Sequence, residues 1–288
     1  MLRWRLLLGT LLIAALLGFC GLDAVARTPG AWLVPLAAVV SVLASQEVLG
    51  LAEAAHLHPW PWTVYFGNLL LVAGSWPYTF NALTLDVEAM RWSALAAPFL
   101  IVFLGEIYRY RRPGGNLANL AAGMFALVYV GLMLSYAVRL RMQWGVGALA
   151  SWVIVVKMGD TGAYTVGRLI GRHKMASIIS PGKTIEGGLG ALIFSCLGSW
   201  LVFQSPILSG KLIVTSHPTP WWGWIGFGLL VSIAGMVGDL AESLLKRDVG
   251  CKDSSRWMPG FGGVLDILDS LLLSAPVAWA CWAFGLVG

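Results

Sequence analysis

Long apolar runs, each closed by a short polar or Gly/Pro-containing stretch, dominate the chain and predict helices long enough to cross a bilayer. Nine can be traced, at 6–24, 31–52, 63–80, 93–108, 119–137, 145–167, 187–204, 222–243 and 265–287. The fourth is the shortest and the third contains Pro77. The expected fold is therefore all-α, a polytopic integral membrane protein with about nine transmembrane helices.

The polar positions are distributed unevenly. In residues 1–140 the acids (Asp23, Glu47, Glu53, Asp86, Glu88, Glu106) are scattered among short loops such as His58-Pro59-Trp60-Pro61, and this half reads as N-terminal transmembrane scaffold. From 141 to 288 every acid falls in one of three stretches: Asp160 in the first, Glu186 in the second, and Asp239, Glu242, Asp248, Asp253, Asp266 and Asp269 in the third. Carboxylates in or beside a membrane are costly and usually face a cavity, so this concentration points to C-terminal helices carrying catalytic motifs within one integral domain.

Composition agrees: 58% hydrophobic and 11% charged residues, with a mean hydropathy of +0.78, exclude an ordinary soluble domain. With the N terminus cytoplasmic, nine spans place Arg3, Arg5, Arg109, Arg111, Arg112, Arg168, Arg172, Lys174, Lys183, Lys246, Arg247, Lys252 and Arg256 inside. Only Arg27, Arg91, Arg139, Arg141 and Lys211 fall outside, which is the bias of the positive-inside rule. The Arg139/Arg141 loop alone leans the other way. The net charge of +5 then reflects topology and anionic lipid rather than nucleic acid, and all three acidic stretches converge on the cytoplasmic face. The first run resembles a secretory signal but is long for one, and is taken as a retained helix. Cys20, Cys196, Cys251 and Cys281 have spacing that fits neither a disulfide framework nor a zinc site.

The third stretch, Gly238 to Ser270, carries the most chemistry. On a helix Asp239, Glu242, Ser243 and Lys246 share one face, as do Asp266 and Asp269 on the next. Such oxygen clusters suit Mg²⁺, which takes one or two carboxylates plus substrate phosphates, and the neighbouring Lys246, Arg247, Lys252 and Arg256 suit the phosphates. In the first stretch Asp160 follows Lys157 by one turn, so a simple ion pair competes with a ligand role, and Gly167 and Gly171 suggest close helix packing. In the second, Ser180-Pro181-Gly182-Lys183-Thr184 opens a helix and offers either a phosphate cradle or a plain N-cap. It lacks the Walker spacing.

Together the three stretches resemble the phosphatidate cytidylyltransferases (CDP-diacylglycerol synthases). Ser243, Lys246, Arg247, Lys252, Asp253, Pro259, Gly260, Gly262, Gly263, Asp266 and Asp269 match that family's signature in register, and DTGAY from Asp160 and SPGKTIEG from Ser180 resemble its upstream motifs. Phe261 and Ile267 depart from it, standing where the family usually has His and Arg. The resemblance implies an integral enzyme of the bacterial inner membrane that transfers the cytidylyl group of CTP to phosphatidic acid, giving CDP-diacylglycerol and pyrophosphate for phospholipid biosynthesis. It implies Mg²⁺, with room for a second cation, held by Asp239 and Asp266, and Asp160 and Asp269 as further ligands or close support. Lys183, Lys246, Arg247 and Lys252 would grip the phosphates, Lys246 and Lys252 within the catalytic set. Glu186, Glu242 and Asp253 would orient those cations, and Ser180, Thr184 and Ser243 would donate hydrogen bonds. A homodimer is a further expectation. The rival readings are a CTP-dependent lipid kinase of the polyprenol type, an inactive paralogue prompted by Phe261 and Ile267, and a transporter. The last would show two related halves, which this chain lacks.

Overall fold

The computed structural model describes residues 2–76, 87–204, 219–255, 258 and 262–288; Pro77, Asp86, Lys211, Arg256, Pro259, Gly260 and Phe261 lie outside the described residues. Helices α1 (Leu2–Val25), α2 (Leu33–Ala54), α3 (Pro61–Gly74), α4 (Val87–Arg109) and α5 (Asn116–Ala126) are followed by a π-helical segment, Leu127–Leu132, and by α6 (Met133–Ile170). A hairpin of β1 (Lys174–Ala176) and β2 (Ser180–Thr184) leads into α7 (Ile185–Phe203), α8 (Trp221–Asp248) and α9 (Val264–Ala283). Among the described residues the fold is all-α apart from this antiparallel pair, which pairs Lys174 with Thr184 and Ala176 with Ser180, and an isolated bridge between Met258 and Gly262. The phosphate-cradle candidate is thus a short strand running into a helix.

Among the described residues five helical runs are long and apolar enough to cross a membrane: Leu33–Ala54, Asn116–Ile170, Ile185–Phe203, Trp221–Asp248 and Val264–Ala283. The nine crossings remain an expectation. The run Asn116–Ile170 has 55 residues, about 80 Å of helix against a hydrocarbon core of about 30 Å, so it cannot be one crossing. It is broken at Gly145, whose φ of 85° and ψ of −176° only glycine adopts without strain.

The chain folds as two compact units, Met1–Met142 with Asp248–Ile267, and Gln143–Arg247 with Leu268–Gly288. In the first, Leu71, Val102 and Leu127 form a buried cluster joined by Leu95, Phe99, Leu120, Met124 and Leu132. Beside it the buried Asn68 amide donates to Ser45 Oγ at 2.6 Å and to the Ala126 carbonyl at 3.5 Å, where the α-helical ladder gives way to the π segment. Asp23, fully buried, accepts from the Gly30, Trp32 and Leu33 amides and from Arg141 Nε at 2.5 Å. Arg141, expected in a loop, is thus buried in an ion pair within α6.

The second unit is built on small residues and hydroxyls. Ser195 of α7 donates to the Val155 carbonyl at 3.1 Å, and a Cβ at Gly159 would run into Ser195 Oγ. A Cβ at Gly228 would press on the backbone of Cys196. Gly167 and Gly171 pack beside Thr184. At the other end Phe203 meets Phe227 edge-on and Trp282 at a tilt.

Candidate active site

The sequence puts ionisable residues on three apolar helices, and in the second unit the fold pairs them. On α6 Lys157 Nζ lies 2.9 Å from Asp160 Oδ2, the expected one-turn pair. Ser270 of α9 joins it, its hydroxyl donating to Asp160 Oδ2 at 3.0 Å and accepting from Lys157 Nζ at 3.3 Å. Trp152 holds the next turn of α9 through an indole hydrogen bond of 2.8 Å to Ser274 Oγ.

Across from this group, Lys183 at the end of β2 reaches Asp239 of α8, Nζ to Oδ2 being 2.9 Å, with Ser243 Oγ 3.5 Å from Asp239 Oδ1. Asp239 follows Gly238, and that order matters, because a Cβ at 238 would collide with the Asp269 carbonyl oxygen. The missing side chain lets α8 and α9 approach backbone to backbone, and Asp269 lies within the electrostatic reach of Asp239, Asp160 and Lys157. One turn further along α8 Glu242 is fully buried and forms an ion pair of 2.5 Å with Lys246, whose side chain is 12% exposed. Lys246 therefore serves first to neutralise a buried carboxylate, which narrows what else it can grip.

Glu186 lies in the first turn of α7 and gathers the end of the α6–β1 connection, accepting from the Arg172 and His173 amides at 3.1–3.2 Å and from His173 Nδ1 at 2.6 Å. Thr184 is the N-cap of α7, its hydroxyl accepting from the Gly187 amide at 3.1 Å, so of the two expectations for this residue the cap is realised. Ser180 is half-buried at the start of β2, and Arg247 donates from Nε to the Ile179 carbonyl at 3.3 Å. Among the residues singled out in the sequence the fold thus assembles Asp160, Lys183, Asp239, Ser243 and Asp269, and sets Glu242 with Lys246 one turn away.

Asp266, Lys252 and Asp253 belong to the first unit. Asp266 occupies the third position of α9, one turn before Asp269 on the same helix. Its Oδ2 accepts from the Gly263 amide at 2.8 Å, the backward half of a capping box, and from the Ser254 amide at 2.9 Å and hydroxyl at 2.6 Å. Lys252 and Asp253 are exposed in the loop after α8. Gly262 has a φ of 83° and its α-carbon faces the Asp266 carboxylate, so both conformation and space demand glycine there. Three participants escaped the sequence reading: Ser270, Ser254 and Glu47 of α2, whose carboxylate also reaches Ser254.

Among the described residues no three His, Cys, Asp or Glu side chains form a ready-made metal cage. Mg²⁺ does not need one, since it binds through one or two carboxylates and completes its octahedron with water and substrate phosphate. Within the second unit Asp239 and Asp269, with Asp160 nearby, are oxygen donors of that kind, and these residues fit the ion.

Apolar helices that carry paired lysines and carboxylates over a few turns define a class, integral membrane proteins whose polar site is built into the helices themselves. Comparison with known proteins gives the family: residues 5–284 match the family model of the Cytidylyltransferase family, and the chain belongs to that family. It is 32% identical over 273 residues to the phosphatidate cytidylyltransferase of Mycobacterium bovis, covering 87% of this chain and 80% of that protein. Similar proteins of the same name occur in Mycobacterium leprae, 33% identical over 87% of this chain and 79% of the relative, and in Staphylococcus saprophyticus, 33% identical over 71% and 70%.

Proposed function

We infer that the protein is a phosphatidate cytidylyltransferase that makes CDP-diacylglycerol and pyrophosphate from CTP and phosphatidic acid. A phosphate oxygen of the lipid attacks the α-phosphorus of CTP in line; the new P–O bond forms as the α–β bridging bond breaks, and its electrons leave with pyrophosphate. The lipid phosphate is already an anion near neutral pH, so positioning and charge neutralisation carry the reaction, and a strong base is not required. The observation that supports this reading best is the lysine–carboxylate pairing of Lys157 with Asp160 and Lys183 with Asp239 in a chain of this family.

Asp160 and Asp239 are each balanced by an ammonium, and in this reading the substrate's phosphates compete for those ammonium groups. Lys183 would turn from Asp239 to a phosphate oxygen, freeing that carboxylate to hold a cation, and Lys157, tethered through Ser270, would do the same for Asp160. Mg²⁺ held by Asp239 and Asp266, with Asp269 and Asp160 in support and a second cation allowed for, would neutralise the triphosphate. Arg247 and Lys252 supply further positive charge, and Lys246 acts through Glu242. Because CTP is a cytosolic solute, we place this face on the cytoplasmic side of a bacterial inner membrane, with phosphatidic acid entering sideways from the leaflet. Light scattering in detergent tests the expectation of a homodimer.

The test uses purified protein in detergent with Mg²⁺, phosphatidic acid and CTP labelled at either the α- or the γ-phosphorus. Label from the α position should enter the lipid and label from the γ position should leave as pyrophosphate. Transfer of γ label to a lipid would identify a CTP-dependent kinase instead. Folded Asp239→Asn and Asp266→Asn proteins should lose at least about 100-fold in turnover, in line with removing a group that stabilises transition-state charge; near-normal rates would refute the assignment of these carboxylates.

A further inference from the structure

We propose that Glu47, in the half of the chain that reads as scaffold, is a positioning residue for the transfer reaction: its carboxylate clamps the start of α9 and fixes the direction of Asp266. Glu47 lies in α2, inside a run apolar enough to cross a membrane, and is 7% exposed. A buried carboxylate there needs partners, and it finds them more than 200 positions along the chain. Oε1 accepts from the Val264 amide at 2.9 Å; Oε2 accepts from the Leu265 amide at 2.7 Å and the Ser254 hydroxyl at 2.8 Å. Val264 and Leu265 are the first two residues of α9, whose amides have no partner within the helix. Glu47 thus provides a cap from outside, with a negative charge at the positive end of the helix dipole.

The same contacts reach Asp266. The Ser254 hydroxyl lies between the two carboxylates, 2.8 Å from Glu47 Oε2 and 2.6 Å from Asp266 Oδ2, and has one proton to give. Gly263 donates its amide to Asp266, and there is no room for a side chain on it, because a Cβ would overlap both the Glu47 carboxylate and Ser254 Oγ. The Gly262-Gly263 pair of the signature therefore has two separate causes. Gly262 supplies the positive φ beside Asp266, and Gly263 makes space for Glu47. An ordinary structural cap would stop at the two helix amides. Here the bonds continue through Ser254 to the carboxylate that the proposed reaction uses, and on that reading of Asp266 the inference rests.

The experiment compares the full-length protein with Glu47→Gln, Ser254→Ala and Ser254→Thr in detergent, by turnover against Mg²⁺ concentration and by hydrogen–deuterium exchange over residues 262–266. Asn68→Ala, another buried polar loss in the same unit, controls for general loosening. Glu47→Gln presents an NH₂ to a donor and should lower kcat by about 10- to 100-fold, the cost of misplacing a reacting group by a fraction of an ångström to an ångström. It should also raise the Mg²⁺ needed for half-maximal rate and speed exchange at Val264 and Leu265. Ser254→Ala should move all three readouts the same way by less, and Ser254→Thr should restore them; these two variants decide the matter if Glu47→Gln does not fold. Asn68→Ala should lower the melting temperature and leave the Mg²⁺ dependence and exchange at 262–266 in place. The proposal is overturned if Glu47→Gln keeps native turnover, or changes only stability as Asn68→Ala does. An Asp266→Asn protein with normal turnover overturns the role of Asp266 and this one with it. An inactive Asp266→Asn protein beside a native-like Glu47→Gln overturns the positioning alone.

Discussion

Replacing Lys246 by Met separates a structural lysine from a phosphate-binding one. The side chain of Glu242 has no exposure, and its ammonium partner sits 2.5 Å away with 12% exposure, one helical turn along α8. Met fills much the same volume as the lysine stem, so the perturbation is the loss of one charge from a buried pair. Removing one partner of such a pair costs about 3–5 kcal/mol, because the other is left as an uncompensated buried charge. Most of that loss is removed in the Lys246→Met/Glu242→Gln protein, where the charge is gone and only an imperfectly bonded amide remains, at about 1–2 kcal/mol. Unfolding by titration with a denaturing detergent in mixed micelles measures both, and turnover of CTP is followed on the same samples. The single variant should be far less stable than the native protein and the double variant should recover at least half of the difference. If Lys246→Met is as stable as the native protein, or if the double variant is no better than the single one, the pairing does not have the role assigned to it here. Recovery of turnover along with stability would further place Lys246 among the residues that build the site and not among those that grip phosphate.

Two further substitutions probe the neighbouring contacts. Lys183→Met removes the partner of Asp239 and a proposed phosphate contact; a charged hydrogen bond of about 1.5–3 kcal/mol corresponds to a rise of roughly 10- to 150-fold in KM for CTP, read from initial rates, and an unchanged KM would exclude that contact. Gly238→Ala drives a methyl group against the Asp269 carbonyl and should part α8 from α9, lowering kcat by about 10- to 100-fold; Gly50→Ala, with open space around its Cβ, is the control and should keep its rate.

Much of the site could be read in the sequence because local spacing carries it. Lys157 and Asp160, Glu242 and Lys246, and Asp266 and Asp269 are one helical turn apart, so helix periodicity alone placed each pair on a common face. The lysine–aspartate pair of α6 and the N-cap role of Thr184 were both among the local alternatives. What spacing cannot reveal is which distant segment arrives opposite. Ser270 is one more polar residue after Asp269 until α6 brings Lys157 and Asp160 to it, 113 and 110 positions away in sequence. The β1–β2 hairpin was hidden for a related reason: a strand of three residues and another containing Pro181 and Gly182 have no alternation from which to be recognised.

Glu47 shows most clearly what a residue's neighbours in sequence leave out. Counted among scattered acids of a scaffold, it stands in a run with no cation within a helical turn. That solitude was itself the signal, since a carboxylate placed in an apolar helix without a local partner must be met by donors from elsewhere. Its donors include backbone amides and a serine hydroxyl, groups that leave no trace in a pattern of charges. The glycine at 263 is the other half of the same evidence, a position where a side chain would overlap the Glu47 carboxylate and the Ser254 hydroxyl. Lone acids in apolar helices and glycines beside helix starts are therefore worth pairing in other members of this family, because each marks a place where two distant segments must meet without a side chain between them.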